Sequence, residues 1–480
     1  MKKEREKTLA IFVGACMVLT LCMVGLTVTA DASDYVYVDA PTGNPLLDYA
    51  AIQGALDAMS PGDTIVLAPG VYTIYKTLVK VGFHGAIIGA GMDETMIKAV
   101  NGPSGEFLAS HNPVFDDTSG EGSEDYETAF FLFGSPEKKL EVSDLTLYID
   151  ELTYVERCYT TFPVDPTYYW PNPGYKMWSA IEVTLAQGCD TSFDSVRVTG
   201  VPGLGWAGSP RNGISIWYSS GGKHTLSNSI LENIGTFAYG PYQCDSAKVV
   251  VESNQFIDCQ RGIQSFYSYG MNIGISGNTF AGLAWPGIYN MYLEGSHMTV
   301  SRNHFEACRG GIWTYTIPGY PQVGSNFIFS HNNIDVQDGA DFAGIEVWDT
   351  SEAKSHFVIN HNNIHQESFL APYSGICTNG VHDAVIANNV ITGSGPAAMF
   401  IGTWLEGVYD VGVKIINNDV QGFLLTAGLW HDYETGNVVV TDPFGHYYLG
   451  PYSRYCILVL GSSIDTYLNQ GMYNLVVERG

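Results

Sequence analysis

Glu346 and Asp349 stand close together in Gly344-Ile345-Glu346-Val347-Trp348-Asp349-Thr350, with Trp348 between them and Trp313 about one repeat earlier. Glycoside hydrolysis uses two carboxyl groups about 5–9.5 Å apart, one as acid and the other as base or nucleophile. Three residues of extended strand span roughly 10 Å. That spacing sits at the limit for an inverting pair and is too long for a retaining one. Glu346 is the better placed acid, because indoles bracket it. A second set is Arg211, Arg261 and Arg309, each one or two residues ahead of a strand that begins with glycine. If they recur every second coil, about 9.6 Å apart, they would form a ruler for carboxylates. The alternative, which the many acids favour, is a set of turn-stabilising ion pairs. A lyase would use such cations, or calcium, to neutralise a uronate while a base removes the adjacent proton.

These residues need elements that hold them in line, and the chain supplies a repeat. The pattern apolar-x-x-Asn-x-apolar occurs as VESNQF at Asn254, ISGNTF at Asn278, VSRNHF at Asn303 and FSHNNI at Asn332. It continues as INHNNI at Asn362, IANNVI at Asn389 and IINNDV at Asn418, with a looser copy at Asn228. A unit of this length cannot bury its apolar face alone, so the copies must stack as a solenoid. Asparagine suits the column twice over. It tolerates left-handed backbone at a tight turn, and stacked amides can bond from coil to coil.

A second signal keeps phase with the first. Gly-Ile or a near copy begins at Ala180, Gly213, Gly262, Gly287, Gly344 and Gly375, with Gly311 and Gly428 in the same place and Gly235 and Ala398 as weaker members. The spacing averages about 28 residues, room for three short strands and their turns. Alternation buries the Ile and turns its neighbours outward. The outward positions then read Ser215/Trp217, Phe237/Tyr239, Gln264/Phe266, Tyr289/Met291, Trp313/Tyr315, Glu346/Trp348, Cys377/Asn379, Phe400 and Trp430/Asp432. With coils about 4.8 Å apart, Trp217, Phe266, Tyr289, Trp313, Tyr315, Trp348 and Trp430 make an aromatic strip. A strip of that kind suits an extended polysaccharide, with Arg211, Arg261 and Arg309 at its lip. The bland alternative is that loops roof the rings and they are ordinary core.

Near the beginning, DYAAIQGALDAM reads as a short helix that Asp48 would cap and Pro61-Gly62 would end. It would lay Ile52, Ala55, Leu56 and Met59 over the open end of the first coil. Together with IQGALDAMSPGDTIVLAPGVY, the IIGAG turn, the N-x-I and Gly-Ile units and the closing GMYNLVVERG, it resembles the pectin-lyase-like right-handed parallel β-helix superfamily over roughly Asp34 to Gly480. The resemblance implies an all-β, single-stranded right-handed parallel β-helix with an N-terminal capping helix. It also implies a glycan groove on the Gly-Ile face. It does not imply a reaction. Asp-Pro-His-Glu, Gly-His-Gly, Arg-Ile-Lys and Arg-x-Pro-x-x-Arg, the superfamily's catalytic signatures, are absent from the chain, so no catalytic residue is carried over.

Composition narrows the partners. The formal net charge is −27, with 22 Lys and Arg against 49 Asp and Glu, which argues against nucleic acid, since phosphate binding needs a basic surface. Residues 1–32 read as a signal peptide or N-terminal membrane anchor, with a basic start followed by an apolar run from Leu9 to Val28. Either reading puts the remainder, 34–480, outside the cytoplasm, extracellular or at the cell surface, touching a membrane only through that segment. We expect a monomer without a resident cofactor, calcium entering only with a polyuronate. Two loops interrupt the repeats: an acidic one near 112–127 and an aromatic, proline-rich one near 152–178. Nine cysteines without short spacings suggest neither a disulfide framework nor zinc. Cys259 and Cys308 share a phase and read as core. His331 and His361 would stack one coil apart, as exposed turn residues rather than metal ligands. The two functions left standing are a glycan-binding protein, with lyase or hydrolase activity open, and a non-catalytic structural or adhesive rod.

Overall fold

The computed structural model describes residues 34–111, 126–149, 177–201, 210–316, 323–338, 340–349, 354–367, 375–402 and 410–429, and short stretches between 435 and 478. Segment 1–32, most of both loops, Trp430 and Asp432 lie outside the described residues. Each strand pairs in parallel with its counterpart one coil later, and the result is a single 38-stranded sheet wound on itself. One face runs through Pro286–Glu294, Gly310–Thr316 and Ile345–Asp349. A second runs through His297–Ser301, Asn326–Ser330 and His356–Asn360. The third runs through His304–Cys308, Asn333–Val336 and Asn363–Glu367. Among the described residues the antiparallel exception is Ser110–His111 against Tyr126–Glu127.

The asparagines form one continuous column. Nδ2 of Asn254 donates to Oδ1 of Asn278 at 2.9 Å, and the same bond recurs from Asn278 to Asn303, Asn332, Asn362, Asn389 and Asn418 at 2.9–3.0 Å. Each Oδ1 also receives the backbone N–H of the asparagine one coil earlier, and each Nδ2 also reaches a carbonyl. All the donors and acceptors are buried, so the column satisfies groups that would otherwise be orphaned. The left-handed backbone expected at these asparagines belongs instead to the residue before each one. Ser253, Arg302, His331, His361, Asn388 and Asn417 have φ between 53° and 60°. Asn228, at φ 50°, is part of that preceding column. Ser229 holds the ladder position, its N–H donating to Asn254 Oδ1 at 2.9 Å. At another corner a serine ladder runs alongside, with Met271 N–H to Ser296 Oγ, Ser296 N–H to Ser325 Oγ and Ser325 N–H to Ser355 Oγ at 3.0–3.1 Å.

Inside the coils like residues stack on like. Phe256, Phe280 and Phe305 lie face to face at 4.9 and 4.5 Å. Cys259 and Cys308 are fully buried and unpaired, as their shared phase predicts, and burial pushes both thiols up to about 12. The helix, α1, spans Pro45–Ala58 and buries Ile52, Ala55 and Leu56. Its cap is Asn44, whose side chain accepts from Leu46 N–H at 3.0 Å, rather than Asp48. Asp48 instead lies buried in the first turn. Burial alone would raise its carboxyl, but bonds from the backbone and hydroxyls of Thr73 and Thr42 outweigh that and hold it below the ordinary range. One carboxylate thus ties α1 to the chain before it and to strand Gly70–Ile74. Among the described residues no helix is long and apolar enough to cross a membrane.

Candidate functional site

The outward face of the Gly-Ile strands carries two columns set by register. The first holds Glu182, Ser215, Gly240, then Gln264, Tyr289, Trp313, Glu346, Cys377 and Phe400. The second holds Thr184, Trp217, Tyr242, Phe266, Met291, Tyr315, Trp348 and Asn379. Phe237/Tyr239 was misplaced by the sequence reading. Tyr239 pairs with Ile214 and Ile263 and is fully buried, so Gly240 and Tyr242 take the outward places. That coil lacks a Gly-Ile pair, and a tyrosine stands in the isoleucine column. Burial pushes the Tyr239 phenol far up, and its hydroxyl has no hydrogen-bond partner.

The rings are contiguous. Trp217 stacks on Tyr242 at 4.3 Å, Tyr242 meets Phe266 at 5.2 Å, and Phe266 meets Tyr289 at 5.8 Å. Tyr289 stacks on Trp313 at 4.4 Å and 11°, Trp313 meets Tyr315 at 5.5 Å, and Tyr315 meets Trp348 at 5.7 Å. Tyr242 and Tyr289 are buried, whereas Trp217, Phe266, Trp313, Tyr315 and Trp348 are half-buried. The strip is therefore neither open nor fully roofed. Where rings stack, their faces cover each other and their edges meet solvent. Tyr267, more than half exposed and stacked on Tyr292 at 4.5 Å, extends the aromatic surface at the strand end.

Glu346 and Asp349 do not form a pair. Three residues is an odd step, so alternation sends the two side chains to opposite faces. Glu346 points outward, almost buried, and accepts Trp348 Nε1–H at 2.6 Å. Burial raises its carboxyl above the ordinary range, against hydrogen bonds from Trp348, the Ala343 backbone and Trp313. Asp349 turns inward with no exposure and accepts the Thr316 hydroxyl and Ser355 N–H, each at 2.7 Å. Its position is structural. A buried acid missed by the sequence reading is Asp410, whose carboxyl burial pushes up to about 7 despite bonds from Val381, Thr378 and Gly402, with Asp349 adding to the rise. It lies in a stretch without the repeat pattern, so no phase flagged it.

The arginines divide. Arg309 is ion-paired with Asp341 at the surface, as the turn-stabilising reading expects. Arg211 instead lies over the Trp178 ring at 4.2 Å. Arg261 is clamped between Trp285 at 4.3 Å and Tyr289 at 4.4 Å, and donates to Gln264 Oε1 at 2.7 Å. His331 and His361 stack at 5.0 Å and 3°, both exposed. Among the described residues no three metal-ligating side chains gather.

Comparisons with known proteins bear on the fold. No curated protein matches the chain. Among solved structures it is similar to the A-module of the mannuronan C-5 epimerase AlgE6 of Azotobacter vinelandii, with 14% identity over 82% of this chain and 95% of that one, at a TM-score of 0.45. It is also similar to the catalytic domain of a GH87 alpha-1,3-glucanase in complex with nigerose, with 12% identity over 94% of this chain and 69% of that one, at a TM-score of 0.46. Likenesses of that extent assign no activity. The family described as right handed beta helix region matches residues 179–334 and 212–366, the coils in which both ladders run. With the coil-to-coil register, that match shows the architecture of these coils to be a right-handed parallel β-helix.

Proposed function

We propose that this protein binds an extended, neutral or weakly charged polysaccharide along the outward face from Trp217 to Trp348, outside the cytoplasm and as a monomer. The observation that carries the reading is the unbroken run of rings over consecutive coils, most of them still reaching solvent. Exposed aromatic surface of this length is unusual on a body with nothing to bind. Residues 1–32 supply the export signal or anchor. Glu346, ringed by indole N–H groups, sits where it would meet a sugar hydroxyl. Asp349 has no part in the site.

The test is intrinsic fluorescence of the full chain against a polysaccharide panel. A saturable change with one glycan, abolished in Trp313→Ala, supports binding. Silence across the panel favours the second reading, a non-catalytic rod. The stacking of Tyr289 on Trp313 favours that reading, because stacked faces are already occupied. New reducing ends would reveal hydrolysis, and ultraviolet-absorbing unsaturated ends would reveal lyase action.

A further inference from the structure

We propose that Arg261 is the receptor for a single oxyanion, a carboxylate or a sulfate ester, carried by the glycan that crosses this face. That the ligand is a glycan rests on the proposed function. The protein carries 49 acidic residues against 22 Lys and Arg, so an arginine is easily given an acid. Arg309 has one in Asp341. Arg261 has none, for no carboxylate among the described residues forms an ion pair with it. Its guanidinium is instead held flat between Trp285 and Tyr289, with one N–H given to Gln264. Its Nε is buried and lacks a hydrogen-bond partner. Leaving a charged donor in that state is unfavourable unless something else completes it.

The surroundings favour an anion and select its shape. A guanidinium fixed in one plane presents a fork that matches two oxygens of a carboxylate or sulfate. Tyr242 lies next to it, accepting from Gln264 Nε2 and keeping its own O–H to donate. Arg211 stands two coils away, roughly 10 Å along the rod, near enough for the two positive charges to disfavour each other. A bound anion would relieve that repulsion.

The same geometry limits the charge density of the ligand. Arg309 is neutralised by Asp341, whereas Arg261 is clamped between two rings and bonded to Gln264, so the arginines along the lip do not repeat one environment. Beyond Arg261 the face continues as Tyr289, Trp313 and the buried Glu346. An anion on every sugar would meet an acidic body with a formal charge of −27. The ligand is therefore a sparsely charged chain, with one oxyanion seated at Arg261 and neutral sugars on either side.

The experiment is calorimetric titration of the full chain with oligosaccharides of equal length that are neutral, singly carboxylated or singly sulfated. Arg261→Gln, Arg261→Lys and Trp313→Ala are compared, after circular dichroism shows each variant folded. The wild type is expected to bind one anionic form about tenfold tighter than the neutral one. Arg261→Gln collapses that ratio to about one, and Arg261→Lys restores part of it. Which anionic form gains the advantage identifies the group. Equal wild-type affinity for all three, or an unchanged ratio in Arg261→Gln, overturns the proposal. If no oligosaccharide binds, the glycan reading fails, and sodium sulfate and sodium acetate are titrated alone with Trp emission as the readout. A saturable change that Arg261→Gln removes keeps the oxyanion site, and a flat response ends it.

Discussion

His224 is sealed between the Thr191 hydroxyl at 3.0 Å and the Ser219 hydroxyl at 2.9 Å, and burial pulls its imidazole down from 6.5 to about 4. The unfolded chain therefore takes up this proton first as pH falls. The stability it represents is whole above 6.5 and is lost by about 4, amounting to roughly 3 kcal/mol. NMR should find the His224 ring neutral at pH 5. A His224 already protonated there would overturn the assignment. Asp410 works in the opposite sense. Its folded value is raised to about 7, so stability is whole below 3.8 and declines as pH rises through 7. Asp410→Asn should therefore raise the melting temperature more at pH 8 than at pH 5, relative to wild type. Asp410 left no mark in the sequence pattern. The Asp349 error, by contrast, could have been avoided, since an odd step along a strand separates two side chains at sight. The orientation of the rings could not have been foreseen, because phase names the column and side-chain torsions choose face or edge.

Within the coils, the asparagine ladder makes a prediction that separates two residues of the same type. Asn303→Ala removes the oxygen that receives both Asn278 N–H and Asn278 Nδ2–H. It leaves the buried Asn278 N–H unsatisfied and Nδ2 with its carbonyl partners alone, and should lower stability by roughly 2 kcal/mol, seen as a reduced urea midpoint. Asn228→Gly should stay within about 0.5 kcal/mol, because that position asks for a left-handed backbone and not for the ladder bond. Comparable losses in the two variants would reject the assignment of Ser229 to the column. The repeat was legible because one residue type recurs at fixed phase and only stacking explains it. Register failed where the marker was missing, at Phe237–Tyr242, and the serine ladder escaped notice because three serines are too few and too ordinary to stand out.

At the scale of the whole molecule, a wound sheet has two ends with unsatisfied strands and exposed core. α1 covers the first of these, its Ile52 and Leu56 fully buried against the opening coils. Leu56→Asp should lift the helix without unwinding the rod. Light scattering is expected to show growing oligomers while the far-ultraviolet β signal persists. A variant that stays monomeric would show that the helix is not the guard. The ladders add a property that belongs to no single coil. From Asn254 to Asn389 each carboxamide accepts through Oδ1 from the earlier coil's ladder residue and gives an Nδ2–H to the next asparagine oxygen, so these ladder bonds all run one way and polarise one another. The rod consequently has an electrical head and tail, and one reversed carboxamide midway would set oxygen against oxygen on one side and hydrogen against hydrogen on the other.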